Sequence, residues 1–437
     1  MLFRSDLAGR LSCSLSTVQK LEEGERRPSK ALATNLLEAL EIPEGEHAVF
    51  MRLARGKPAP RTVSREASRD EARAHDAQYD AATPPNNIPF PINALIGRET
   101  ETAWVQDLLA GDDARLVTLT GLPGVGKTRL AQHIAHDAQF EDGVCYVSFA
   151  ALPHQVDPQL ACNMLAAAIG NTLHQRATSP EAAPLAQTPD TPNLVIAYLR
   201  EMDVLLVLDN IEPVLASRDF LVRLLQETRW VKLLITSHER LRLRAEHVMQ
   251  LAGLSIQADD ADSPALQLFM ARTSRVAGPS FTETHATEKM ARICQQVDGL
   301  PLGIEMACEL TATHTLDEIG DAIARDIAVL HTTSPDVPEA HRSLCSLLTT
   351  LWQRLSPEEQ HVTRQCARFE GSFRFEEVSR TLQLNDLDSV SLRARFNGLI
   401  EKSVLRRTMD EANRAGGGLY LLHPLLKQFI AQTLAKH

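Results

Sequence analysis

The residues best suited to chemistry are the eight from Gly121 to Thr128, which read Gly-Leu-Pro-Gly-Val-Gly-Lys-Thr. Gly121, Gly124 and Gly126 let the backbone turn its amide groups, that of Val125 among them, toward one point and form an anion nest. A helix beginning at Lys127 adds the partial positive charge of its N-terminus at that point. In a phosphate-binding loop of this kind Lys127 reaches the β- and γ-phosphates of a nucleotide, and the Thr128 hydroxyl holds Mg²⁺. The alternative is a glycine-rich strand–helix turn with no ligand. A matching carboxylate, Asp209, ends the apolar run Val204–Leu208. A buried strand would deliver it to the C-terminal edge of a parallel sheet, where it serves water-mediated Mg²⁺ coordination; the alternative is a strand-end Asp capping the next turn. Lys127 and Asp209 are the candidate catalytic residues. The following residue, Asn210, is not acidic, so a carboxylate beside Asp209 to activate water is missing and Glu212 is a candidate substitute. Slow hydrolysis is the expectation.

These groups need a scaffold, and the hydrophobic pattern supplies one. Short apolar or β-branched runs at Leu116–Thr120, Val144–Phe149, Val204–Leu208 and Lys232–Thr236 alternate with helical stretches at Lys127–Phe140, Pro158–Ile169, Leu194–Met202 and Phe220–Gln226. Strands buried on both faces and separated by helices predict a parallel sheet. Residues 171–192, rich in Pro, Thr and Ala, predict a surface insertion. Beyond about Ala258 helical periodicity takes over, and a short ribbon at Val404–Arg407 and Leu419–Leu422 predicts a winged helix at the end. The fold class is thus multidomain α/β plus α. Its parts are helical residues 1–56, a linker over 57–90, a P-loop NTPase core over 91–257, a helical subdomain over 258–333 and a winged-helix domain over 334–437. The linker has Pro58, Pro60, Pro84 and Pro85, many charges and few large apolar residues, too little burial to offset its ordering entropy.

Bulk properties narrow the function. The chain has 437 residues and a formal net charge of -11, which argues against a protein that coats nucleic acid non-specifically but allows a small DNA-reading module. Its 7 cysteines form no CxxC pair, and read as reduced thiols in a reducing compartment. No apolar run approaches a membrane span and the N-terminus lacks a signal-peptide pattern. A cytoplasmic protein with no membrane partner is expected.

Further motifs carry a resemblance. They are Ile96-Gly97-Arg98-Glu99 before the first strand, the P-loop, Leu208-Asp209-Asn210, Leu234-Ile-Thr-Ser237, Gly299-Leu-Pro301-Leu302 and Leu422-His423-Pro424-Leu425. In this order the chain resembles the NB-ARC ATPases of the signal-transducing (STAND) class, most of all bacterial regulators in which such an ATPase follows a lambda-repressor-like (XRE-type) helix-turn-helix. The resemblance implies that Ile96, Gly97 and Arg98 line the adenine pocket, that the P-loop through Arg129 binds phosphate, and that Pro301 packs on the nucleoside. It further implies that His423 contacts the ADP β-phosphate and holds a closed state. The family has an Arg sensing the γ-phosphate after Thr236-Ser237; here stand His238 and, two residues later, Arg240, so sensing by Ser237, His238, Arg240 or none of them stays open. Taken alone, the Gly299–Leu302 stretch reads as a loop between helices, and a lone His such as His423 reads as structural.

Residues Asp6–Glu22 resemble the helix-turn-helix core itself, with Ser14 as N-cap of the second helix. Ser16, Gln19 and Lys20 would face base edges, and Arg26 and Arg27 would grip phosphates. The helix that normally precedes this pair is missing, and acidic Glu22, Glu23 and Glu25 offset the basic residues. A helical module that binds protein is the alternative. Two functions follow: an ADP/ATP switch that self-associates on ATP binding and regulates transcription through DNA, or a signalling or defence scaffold. In both, the activating ligand or protein is unnamed. A metabolic P-loop kinase is disfavoured, since no acceptor site is evident.

Overall fold

The computed structural model describes residues 36, 37, 39, 40, 86–152, 156–177, 190–256, 263–278, 285–334, 337, 339–382, 389–408 and 418–433. The chain divides into two units, Met1–Thr83 and Pro84–His437. In the first, Leu36, Leu37 and Ala39 are helical and buried. The helix-turn-helix residues Ser16, Gln19, Lys20, Arg26 and Arg27 and most of the linker lie outside the described residues.

The second unit opens with helix α1 (Glu99–Ala110) and a sheet of five parallel strands, β1 (Leu116–Thr120), β2 (Val144–Ser148), β3 (Leu205–Asp209), β4 (Lys232–Ser237) and β5 (Glu246–Gln250). Their order is β2-β3-β4-β1-β5, and the registers pair Leu116 with Leu233, Val144 with Leu205, and Leu205 with Lys232. Every residue of β1 and β3 is buried, as a sheet covered on both faces requires. The alternation shows where each side chain goes. Val117, Leu119, Leu205, Val207 and Leu234 enter one core, and Leu116, Leu206, Leu208, Leu233 and Ile235 enter the other. Helices α2 (Lys127–Asp137), α3 (Pro158–Ala177), α4 (Thr191–Leu199) and α5 (Arg218–Glu227) connect the strands.

Two sequence expectations need correction. The sheet has a fifth strand, β5, whose Glu-His-Val-Met-Gln is half-buried at the edge; with water on one side it needs no apolar run. Residues 171–177 continue helix α3 rather than starting an insertion.

A helical module follows: α6 (Pro264–Val276), α7 (Ala286–Gln296), α8 (Pro301–Leu310) and α9 (Leu316–Arg325), the last begun by a Thr315–Glu318 capping box. Its entry crosses the strand exit at very close range. A Cβ at Gly253 would lie 1.9 Å from the Asp298 carbonyl oxygen, and one at Gly299 (φ +64°) 2.1 Å from that of Leu254. The C-terminal module comprises α10 (Leu344–Gln353), α11 (Pro357–Cys366), α12 (Phe375–Thr381), α13 (Ser389–Glu401) and α14 (Pro424–Thr433). It also holds an antiparallel sheet of β6 (Phe373–Arg374), β7 (Leu405–Thr408) and β8 (Leu419–Leu422) in the order β6-β8-β7. The ribbon of β7 and β8 lies within one residue of the expected one. The six described cysteines are free thiols, and among the described residues no helix is long and apolar enough to cross a membrane.

Candidate nucleotide site

Strand β1 runs into the glycine-rich loop and helix α2 leaves it. Gly121, Gly124 and Gly126 hold φ of 151°, 80° and 96°, backbone settings that a side chain makes costly. At Gly124 space is limiting as well: a Cβ there would sit 2.8 Å from the Cβ of Leu302. The Leu302 amide donates to the Gly124 carbonyl at 3.2 Å. The helical module is thereby clasped directly to the loop.

Lys127 is buried, and its three N–H donors are all engaged. They reach the carbonyls of Gly121 (2.9 Å) and Leu122 (3.1 Å) and Nδ1 of His238 (3.0 Å). Burial lowers its pKa to about 8, with Glu212 and Asp209 opposing that shift and Arg354 adding to it. An arriving phosphate offers oxygens that compensate this desolvation better than carbonyl dipoles do.

The Asp209 carboxylate sits beside Thr128. The Thr128 and Thr236 hydroxyls each donate to Oδ1 at 2.7 Å, and the Tyr146 hydroxyl donates to Oδ2 at 3.0 Å. Burial first, and then the Asp209 charge, raise the Tyr146 pKa, so its phenol stays a donor. A hydroxyl and a carboxylate in contact, both hard oxygen donors, fit the ligand preference of Mg²⁺. Thr128 and Asp209 would hold such an ion, which supplies charge neutralisation for phosphoryl oxygens.

The loop opens on a cleft of about 800 Å³, within the range of small-molecule sites. It is walled by Lys127, Thr128, Asn210, Thr236 and His238 and by Phe90, Ile92, Arg129, Pro301 and Glu305, among others. Phe90 and Ile92 are 84% and 89% exposed, a bare apolar edge at the mouth. Arg129 donates to the carbonyls of Asn93 (3.0 Å) and Ala94 (2.8 Å) and pairs with Glu305 at 3.5 Å.

The candidates thus separate. Gly124, Gly126, Lys127, Thr128, Arg129, Pro301 and His238 share the cleft, whereas Gly121 and Asp209 do not line it and Val125 lines a separate cavity. Ile96, Gly97 and Arg98 do not line the cleft. Gly97 packs on Pro264. Arg98, 5% exposed, donates to Glu101 (2.7 Å) and to the carbonyls of Val125 (3.2 Å) and Ala252 (2.6 Å), bracing the loop from outside. Ser237 is buried at the end of β4, and Arg240 is exposed away from the cleft.

His423 lies on the far side of the loop. With Leu122, Val125, Asp298 and Arg406 it lines a cavity of about 30 Å³. Its Nδ1 accepts from the Leu425 amide at 3.3 Å, and its buried Nε2, without a hydrogen-bond partner, stands 3.4 Å from Asp298 Oδ2. Burial, aided by Arg406, lowers its pKa to about 3. Glu212 turns toward His238 and accepts from its backbone amide. Sequence reasoning missed Tyr146, because only the β2–β3 register (Ser148 opposite Asp209) brings its hydroxyl to Asp209.

Comparison with known proteins agrees with this geometry. A family model described as an AAA domain matches residues 110–244. A Mycobacterium tuberculosis protein named "Putative HTH-type transcriptional regulator" is 31% identical over 295 residues, 67% of this chain and 31% of that one. The chain therefore spans about a third of the length of the curated relatives it first matches. An uncharacterized protein of the same organism is 26% identical over 352 residues, 79% of this chain and 82% of that one. Among solved structures, the Walker-type ATPase of Pyrococcus abyssi superposes with a TM-score of 0.50 at 12% identity, covering 77% of this chain and 96% of that chain, a likeness of fold alone. The loop, the carboxylate strand and the matched region coincide: the centre of this chain is an AAA-type P-loop NTPase domain.

Proposed function

We propose that the chain is an ADP/ATP-operated switch of the STAND kind that regulates transcription, its C-terminal module being a winged helix. One observation carries this reading: the C-terminal module touches the nucleotide core on both sides of the P-loop. The Ser403 hydroxyl donates to the His238 carbonyl at 3.3 Å, and His423 backs Leu122 and Val125. A change in loop occupancy therefore has a route to that module, and a nucleotide moves such an equilibrium only through different affinities for its two states. His423 would hold the closed, ADP-bound state by supporting the loop from behind. Release of the C-terminal half on ATP binding would allow self-association.

Slow hydrolysis fits the residues around Asp209. Asn210 (φ 57°) lines the cleft where a water-activating carboxylate is needed, and Glu212 is held by the His238 amide instead. Likeness to proteins named as HTH-type regulators supports DNA as the output partner, read by Ser16, Gln19 and Lys20. A basic grip through Arg26 and Arg27 would give a negative log–log dependence of DNA affinity on salt. The decisive experiment identifies the nucleotide in the purified protein and measures thermal stabilisation by MgADP. Tight ADP that Lys127→Ala loses supports the switch. Absence of stabilisation by either nucleotide rejects it.

A further inference from the structure

We propose that His341 is the side chain through which the C-terminal half contacts the terminal phosphate of a bound nucleoside triphosphate. This inference rests on the switch reading above and deepens it.

Placement is the first reason. His341 lines the same cleft as Lys127, Thr128, Asn210 and His238, whereas His423 does not and is occupied behind the loop. His341 is solvent-exposed within that cleft, so its imidazole can turn onto a ligand without disturbing the core. No sequence motif marked it; the fold alone brings it beside the P-loop.

The second reason is how its segment is held. His331 and Ser343 form an antiparallel bridge that holds together the two ends of the segment carrying His341. The Thr332 amide donates to the Arg342 carbonyl at 2.8 Å, and the Leu344 amide to the Leu330 carbonyl at 3.1 Å. The Thr332 hydroxyl binds Glu309 on α8 at 2.8 Å, and the Ser343 hydroxyl caps α10 by accepting from the Ser346 amide at 3.4 Å. That segment joins the last helix of the helical module to the first of the C-terminal module. A ligand that pulls on His341 pulls on the joint between them.

Charge is the third. Desolvation and the nearby Lys127 lower the His341 pKa, while Asp209 raises it. Arg354, at the end of α10, lines a second cavity behind His238, and its charge reaches both His238 and Lys127. A γ-phosphate placed between Lys127 and His341, which share the cleft, would accept from both, the imidazole acting as an N–H donor whose lowered pKa favours the neutral form; ADP, one phosphate shorter, would not. The contact thus has the differential affinity that a switch requires.

The test measures affinity of the full chain for MgADP and for a non-hydrolysable Mg-ATP analogue by calorimetry, in wild type, His341→Ala, His341→Arg and His341→Glu. Loss of one charge-assisted hydrogen bond predicts about tenfold weaker binding of the analogue to His341→Ala, with ADP binding changed less than about twofold. His341→Arg should retain the preference for the analogue and His341→Glu should reverse it, an ordering by charge that a merely structural residue would not produce. Equal weakening of both nucleotides, or none, in His341→Ala overturns the inference while leaving the switch intact. Failure of the wild type to bind either nucleotide removes both.

Discussion

Arg98→Ala separates two roles for one residue. The family resemblance places Arg98 against the adenine, whereas the structure places it under the P-loop, tying helix α1, the Val125 carbonyl and the Ala252 carbonyl together. Truncation removes three charge-assisted hydrogen bonds and leaves two carbonyls short of a donor. Each such bond contributes about 1.5–3 kcal/mol at most, and water entering the gap recovers part of it, so a net loss of about 3 kcal/mol is expected. Unfolding entropy near 2 cal/mol/K per residue over a unit of roughly 350 residues then gives a Tm lower by about 4 °C. The assay is thermal unfolding of nucleotide-free protein, where no adenine contact can contribute. If Arg98→Ala melts like wild type without nucleotide but binds ADP much more weakly, the bracing role is wrong and the base-contacting role is right.

Other perturbations test the site's parts. Gly124→Ala forces a side chain into φ +80° against Leu302 and should abolish ADP-dependent stabilisation, read by differential scanning fluorimetry. Tyr146→Phe removes one donor from Asp209 at 3.0 Å and should weaken Mg²⁺-dependent nucleotide binding by a few-fold, the effect of about 1 kcal/mol; Mg²⁺ titration at fixed ADP checks it. His423 has a folded-state pKa near 3, below its ordinary value of 6.5, so its neutral form is favoured by folding. Stability is complete above about pH 6.5 and falls as pH drops toward 3, because only the unfolded chain readily takes the proton. His423→Gln should flatten the decline in unfolding midpoint between pH 6.5 and 4, and an unchanged slope would contradict the burial argument.

How far the sequence carried depended on whether the information was local. The P-loop, β1, β3 and β4 were legible because a buried parallel strand is a continuous apolar run and the loop is contiguous. The C-terminal ribbon was legible instead from two short strand-like stretches flanking residues rich in Gly and charge. Strand β5 was not, since an edge strand with Glu246, His247 and Gln250 lacks that run. Within the site, Lys127, Thr128 and Asp209 could be placed from spacing and strand ends. Tyr146 and His341 could not, because they arrive through strand register and through a loop more than 200 residues from the P-loop. Resemblance named Arg98 and His423, yet their positions depend on packing that a motif does not encode: one engages loop carbonyls, the other a small cavity behind the loop.

The crossing at Gly253 and Gly299 has a mechanical meaning. Two backbones in contact, with no room for even a methyl group between them, transmit rotation as a weld does. Swinging the four-helix module away from the sheet would require parting that seam and the clasp on Gly124 together. Any large rearrangement in this unit should therefore leave those two bodies riding as one and be taken up farther along, between Leu330 and Leu344, by parting the hydrogen bonds that Gln428 and Gln432 of α14 make to the Ile323, Ala324 and Arg325 carbonyls. A spectroscopic ruler with one probe on α7 and another on the sheet should then read a constant distance in every nucleotide state, while a probe on α14 moves.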